Sequence, residues 1–289
     1  MPSHPTRVLA LLALTLGCSS KPTVAAKAPV IDMPLPIACR GDGRPPVILE
    51  AGLGNDASVW SAVVPGVAQT TRVCAYDRAG LGASKRPAPR PHSNEMMARE
   101  LHASLRAAGV PEPYVLVGHS MGGANIRYLA GESPQAVSGM VLVDSVGERQ
   151  PCGYWALLPA ATLAEFKAGL RRLPEGLDFD TLCDGFQRLG TVNPSLGKIP
   201  LVVLSRGKEL PPPPGVSTDG GKEIEAAWRG MQEALPRLSS NSAHVVVEDA
   251  GHFIQLDRPE VVVAAIREVV AAVRETRPIN AAGIAGAVN

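Results

Sequence analysis

The sequence predicts a doubly wound α/β domain built on a mostly parallel β-sheet. Three observations carry this. Short, unbroken apolar runs, Val47-Ile48-Leu49, Met140-Val141-Leu142-Val143 and Leu201-Val202-Val203-Leu204, are bounded by turn residues, as strands buried on both faces are. Helical patterns alternate with these runs along most of the chain, the rhythm of crossovers between parallel strands. At Tyr114-Val115-Leu116-Val117-Gly118-His119-Ser120-Met121-Gly122-Gly123 an apolar run breaks into Gly-x-Ser-x-Gly, and a helical pattern follows to about Ala130. That is how a strand, a sharp turn and a helix are written.

In order, residues 47–50 read as a strand, 60–69 as a helix and 72–76 as a strand. Residues 94–108 form a helix with Ser93 or Asn94 as cap, Gly109 as stop and Pro111 beyond, the usual start and stop chemistry. After the strand at 140–143 the rhythm breaks. Residues 146–198 carry a patchy helical pattern, with Trp155, Phe166, Phe179 and Phe186 interrupted by Pro and Gly, and read as a small helical cap. The strand at 201–204 follows, then a helix over 222–238 whose Trp228, Met231 and Leu235 lie at packing spacing. A strand at 245–247 leads to a last helix over 259–274, with Asp257 as expected cap and Pro259 in its first turn. Residues 31–277 make the domain, and 278–289 read as a C-terminal tail.

The chain has 289 residues and a formal net charge of +1, enough for one large domain or at most two. No basic or acidic block points to nucleic acid, and the body of the chain has neither an internal repeat nor an apolar run long enough to span a bilayer. The N-terminus differs. Arg7 precedes the apolar residues 8–16, then Gly17-Cys18-Ser19. This pattern is that of a bacterial export signal, and Cys18 resembles the lipid-modified cysteine of a lipobox. Residues 1–18 are therefore expected to be a signal peptide and 19–30 a tether, giving a membrane-anchored lipoprotein or a periplasmic or secreted protein. The alternative is an ordinary cleaved signal with an incidental cysteine. Export makes Cys39, Cys74, Cys152 and Cys183 an even set in an oxidising compartment. The pairing Cys39–Cys74 with Cys152–Cys183, one of three, keeps each bridge within one structural unit.

A serine on a sharp strand-to-helix turn stands exposed near the positive end of the helix, so Ser120 reads as a nucleophile. A serine hydroxyl is a weak nucleophile and needs a positioned base. Four stretches together resemble the α/β-hydrolase superfamily. Glu50-Ala51-Gly52-Leu53-Gly54 is similar to its oxyanion loop, with Ala51 where histidine is common. Asp77-Arg78-Ala79-Gly80-Leu81-Gly82-Ala83-Ser84 is similar to its Asp-x-Arg-Gly-x-Gly-x-Ser turn and reads as structural. Gly118–Gly123 is its elbow, and Ala250-Gly251-His252-Phe253 stands where the family carries its histidine.

The resemblance implies an α/β-hydrolase fold with cap and a Ser-His-acid set. His252 is the expected base, because His4, His92, His102, His119 and His244 sit in the signal, before or within a surface helix, beside the nucleophile or at a strand start. The family's acid usually follows the strand at 201–204, but Ser205-Arg206-Gly207-Lys208-Glu209 holds no aspartate there. A minority carry it one strand earlier, which here is Asp144. Asp144 is preferred, Glu209 is the alternative and Asp249 a third. The backbone N–H groups of Leu53 and Met121 are the expected oxyanion donors, and Trp60 and Met121 are placed in the pocket floor. No zinc spacing, phosphate loop or dinucleotide fingerprint is present, so no metal or cofactor is expected. The implied function is hydrolysis of carboxylic esters with short or medium acyl chains. Lactonase, C–C bond hydrolase, amidase and cofactor-free haloperoxidase chemistry on the same site are alternatives. A non-catalytic binding lipoprotein is the alternative of another class.

Overall fold

A computed structural model describes residues 33–148, 155 and 157–288. The expected signal, tether and Cys18, and also Cys152, lie outside the described residues. Within them, seven strands form one sheet: β1 (Ile37–Arg40), β2 (Val47–Glu50), β3 (Val73–Tyr76), β4 (Tyr114–His119), β5 (Val137–Val143), β6 (Leu201–Arg206) and β7 (Ser242–Val247), in the order β1-β3-β2-β4-β5-β6-β7. Only β1 is antiparallel, on β3; the other pairings are parallel. The helices are α1 (Val64–Ala68), α2 (Asn94–Ala107), α3 (Met121–Glu132), α4 (Ala160–Arg172), α5 (Phe179–Val192), α6 (Thr218–Ala234), α7 (Ile254–Asp257), α8 (Pro259–Glu275) and α9 (Ala281–Val288).

The unbroken apolar runs follow from burial on both faces. Side chains alternate along each strand, so Ile48, Leu116, Met140, Leu142 and Val203 join a core with α2, α3 and the cap helices. Leu49, Val115, Val117, Val141 and Val202 face a second core closed by α1 and α8. No polar face is left to interrupt the pattern. α4 and α5 lie between β5 and β6 in the chain and form the cap, with Leu170, Leu182 and Phe186 buried.

Four expectations are corrected. The helix over 60–69 is split into a 3-10 turn at Ala57–Trp60, capped by Asp56 through the Ser58 N–H at 2.9 Å, and α1, which starts at a proline step. β1 was not foreseen, since an edge strand with half-buried side chains shows no apolar run. Asp257 ends α7 and accepts the Gly251 N–H at 2.7 Å instead of capping α8. The expected tail carries α9, with Ile284 fully buried in the second core. Cys39 and Cys74 face each other in the β1–β3 register and are joined as a disulfide. Cys183 is buried on α5.

Candidate active site

β4 runs straight into the turn. Ser120 has φ 52° and ψ −122° and stands at the N-terminus of α3, a backbone conformation that costs on the order of 1–3 kcal/mol and persists only when its surroundings hold it. They do: its N–H donates to the Val143 carbonyl at 3.1 Å, and its carbonyl accepts from Val146 N–H at 3.2 Å. The flanking glycines are needed for close approach. A Cβ on Gly118 would come within 2.7 Å of Gly123, and one on Gly122 within 2.5 Å of the carbonyl oxygens of Glu50 and Ala51.

β4 and β5 pair in parallel, with His119 opposite Val143, and this register delivers Asp144 to the same sheet edge as Ser120. Asp144 is fully buried and has φ 39°. The loop after β7 brings His252. Its Nδ1 lies 2.6 Å from Asp144 Oδ2, and its Nε2 lies 3.0 Å from Ser120 Oγ. A carboxylate only accepts, so Nδ1 carries the proton and Nε2 is left to accept from the serine hydroxyl. The arrangement can therefore take a proton from Ser120 while keeping the resulting imidazolium beside an anion.

Glu209 lies elsewhere, exposed and paired with Arg229. Asp249 is also exposed, with Arg258 at 2.5 Å. Trp60 does not line the pocket: it is fully buried in the second core, on the far side of the sheet from the cap.

Arg206 and Trp228 are close neighbours of Asp144 that the sequence did not single out. The Arg206 backbone N–H reaches Asp144 Oδ1 at 3.2 Å and its Nη1 reaches Oδ2 at 3.2 Å. Trp228 Nε1–H donates to Oδ1 at 3.0 Å. Arg206 also pairs with Glu225 at 2.6 Å, and its guanidinium lies 4.7 Å from the Trp228 ring. Arg206 occupies the stretch where the acid was sought and supplies the counter-ion instead. That stretch could have signalled this; nothing local distinguishes Trp228 from a packing residue.

His119 sits beside Ser120 and points at His252. Its Nε2–H donates to the His252 carbonyl at 2.8 Å, and the two rings are 4.7 Å apart. Burial, helped by the neighbouring His252, pushes its pKa down to about 3, so it is neutral near pH 7.

Leu53 and Met121 line a cavity of about 220 Å³ together with Ser120, His252, Arg206 and Trp228, closed by Val146, Trp155, Phe166, Leu182, Phe186 and Leu210. Under it, Arg78 is buried and donates to the carbonyl oxygens of Ala51 at 2.6 Å and Gly52 at 2.5 Å. Burial works against its charge, but Glu175 and Glu50 outweigh this and hold its pKa above the ordinary arginine value. A wider groove of about 720 Å³ between α1, α8 and α9 contains neither Ser120 nor His252.

Residues 45–191 match the family model described as alpha/beta hydrolase fold. The chain belongs to that family. This α/β hydrolase is 26% identical to the uncharacterised protein YqjL of Bacillus subtilis (strain 168) over 242 residues, which is 83% of this chain and 89% of that one. Among solved structures it resembles a thermophilic esterase from Thermogutta terrifontis, with TM-score 0.61, 22% identity and coverage of 83% and 93% of the two chains. It also resembles Est816, described as an N-acyl homoserine lactone degrading enzyme, with TM-score 0.55, 21% identity and coverage of 81% and 95%. At these identities the two solved structures share the fold of this α/β hydrolase.

Proposed function

We propose that the chain is a serine hydrolase that cleaves carboxylic esters through an acyl-enzyme. The observation that carries this reading is the line of contacts Ser120 Oγ to His252 Nε2 at 3.0 Å and His252 Nδ1 to Asp144 Oδ2 at 2.6 Å. Ser120 Oγ attacks the ester carbonyl carbon and passes its proton to His252 Nε2. The carbonyl π pair moves onto oxygen, which faces the N–H groups of Leu53 and Met121. Collapse of this adduct expels the alcohol, which takes the proton from His252. Water then attacks the acyl carbon with His252 as base, Ser120 recovers its proton, and the carboxylic acid leaves.

The cavity supports short and medium acyl groups. An apolar cavity of about 150 Å³ holds benzene, so about 220 Å³ suits a butanoyl to octanoyl chain or a small ring. Among the described residues that line it, Arg206 is the guanidinium cation and is already compensated by Asp144 and Glu225, which supports an uncharged acyl group. Export and lipid modification at Cys18 remain part of the proposal, and the Cys39–Cys74 bridge is in keeping with an oxidising compartment. A p-nitrophenyl ester series tests the enzymatic reading. kcat/KM is expected to peak between butanoate and octanoate and to fall about tenfold or more at palmitate, where the chain exceeds the cavity. Full activity in Ser120→Ala contradicts it.

A further inference from the structure

The cap segment reads Leu173-Pro174-Glu175-Gly176 between α4 and α5, where an acidic residue in a turn ordinarily faces water. Glu175 is fully buried. Its Oε1 accepts from Arg78 Nε at 2.8 Å and Nη2 at 2.6 Å, and its Oε2 accepts from the backbone N–H of Gly54 at 2.6 Å. Its own carbonyl lies 3.0 Å from His92 Nδ1, and the Gly176 carbonyl accepts the His92 N–H at 3.0 Å. One side chain of the cap thus reaches through to the loop that carries Leu53.

The consequence for that loop follows from peptide geometry. In a trans peptide the C=O and N–H point in opposite directions, and the Gly52–Leu53 bond is trans. The Gly52 oxygen is held on Arg78 Nη2, so the Leu53 N–H of the same peptide is turned away from Arg78. The next N–H, that of Gly54, is held by Glu175. Both peptides flanking Leu53 are therefore fixed by a pair of buried side chains, Arg78 below and Glu175 from the cap. Without them the Gly-Leu-Gly loop, with Gly54 at φ +71°, would keep only the Asn55 N–H on the Gly52 oxygen at 3.2 Å and Asn55 Nδ2 on the Leu53 oxygen at 2.7 Å, and would gain conformational freedom. The Arg78 guanidinium would also keep only Glu50, at 3.0 Å, as a carboxylate partner.

Resting on the hydrolase reading above, we infer that Glu175 is a positioning residue for the oxyanion loop. Seating of the cap and formation of the anion-binding Leu53 N–H are one event, joined through Glu175. The sites of contact differ from those that position His252, so loss of Glu175 acts on transition-state stabilisation while the acid–base pair stays in place.

Three variants separate this role from a merely structural one. Glu175→Met and Glu175→Gln both remove the charge facing Arg78 at similar volume, but only glutamine can still accept from Gly54. Glu175→Asp keeps the charge and withdraws it by one methylene from Gly54. The readouts are kcat and KM on p-nitrophenyl butanoate and the affinity for a trifluoromethyl ketone. Ser120 adds to the ketone's carbonyl carbon, its proton passes to His252, and the carbonyl oxygen becomes an anion in the hole. Loss of one oxyanion donor costs about 100- to 1000-fold, and a loosened loop should cost part of that. Glu175→Met is expected to lose about 30- to 100-fold in kcat and in ketone affinity with KM within about threefold. Glu175→Asp should lose about tenfold, and glutamine should restore activity to within about fivefold of wild type. Where the methionine variant does not fold, the aspartate variant decides. Folded methionine or aspartate variants with wild-type kcat and ketone affinity overturn the inference, while the wild type still turns over. A wild type that neither turns over nor binds the ketone overturns the hydrolase reading and the inference with it.

Discussion

Asp144→Asn is the substitution whose outcome the geometry constrains most tightly. Four donors converge on the carboxylate: the Arg206 N–H and Trp228 Nε1–H on Oδ1, and Arg206 Nη1 and His252 Nδ1–H on Oδ2. Asparagine offers one acceptor and one NH₂ donor in nearly the same shape. Its oxygen must stay toward Trp228 and the Arg206 backbone, because neither of those donors can move far in a fully buried setting. The NH₂ group then faces Arg206 Nη1, which can only donate and must withdraw, and His252 Nδ1, which has to become an acceptor, so the ring proton shifts to Nε2. An Nε2–H cannot take the proton of Ser120. Loss of the tautomer costs about 10⁴-fold in kcat, equivalent to about 5.4 kcal/mol at 1.36 kcal/mol per decade. The assay is kcat/KM on p-nitrophenyl butanoate, with circular dichroism confirming a folded variant. A folded Asp144→Asn with more than about a tenth of wild-type activity refutes Asp144 as the acid. Glu209→Gln, at an exposed surface pair, should stay within about twofold of wild type.

Other expectations follow from the same site. Trp228→Phe keeps an aromatic side chain, smaller by the pyrrole ring, and deletes the Nε1–H that Asp144 receives. A hydrogen bond to a charged group is worth about 1.5–3 kcal/mol, so kcat should fall by about 10- to 100-fold with KM little changed, measured on the same ester. His119 carries a pH signature in stability. About one pH unit and more above its ordinary value of 6.5 it is neutral in both states and contributes nothing that varies. As pH falls from 6.5 toward about 3 the unfolded chain takes a proton that the buried ring refuses, so stability drops by about 1.4 kcal/mol per pH unit over that window. His119→Gln, which retains a donor for the His252 carbonyl, should flatten the slope in urea unfolding between pH 6 and 4. Breaking the Cys39–Cys74 bridge, whose cysteines are 35 residues apart in sequence, should cost about 3–4 kcal/mol, read as a lower urea midpoint for the double serine variant.

Much of the fold was legible because parallel strands buried on both faces and a Gly-x-Ser-x-Gly turn are local patterns. Ser120 and His252 belong to that class, each marked by its own neighbours in the chain. The choice between Asp144 and Glu209 depends on something non-local, the β4–β5 register that sets His119 beside Val143. Arg206 and Trp228 join Asp144 across a crossover, and Glu175 reaches Arg78 from 97 residues away. No window of sequence contains such pairs. Trp60, expected in the pocket floor, is another such case: the capped turn at Ala57–Trp60 carries the ring to the opposite face of the sheet. The Asp77–Ser84 turn reads as structural in the sequence, and Arg78 within it holds the carbonyl oxygens of Ala51 and Gly52 under the site.

The central claim is that Ser120 is activated by His252. Fluorophosphonate labelling followed by peptide mass spectrometry tests it most directly. A single adduct on Ser120 is expected in the wild type, abolished in Ser120→Ala and slowed by about 100-fold or more in His252→Ala. An adduct on another serine, or wild-type labelling of Ser120 in the absence of the imidazole, contradicts it.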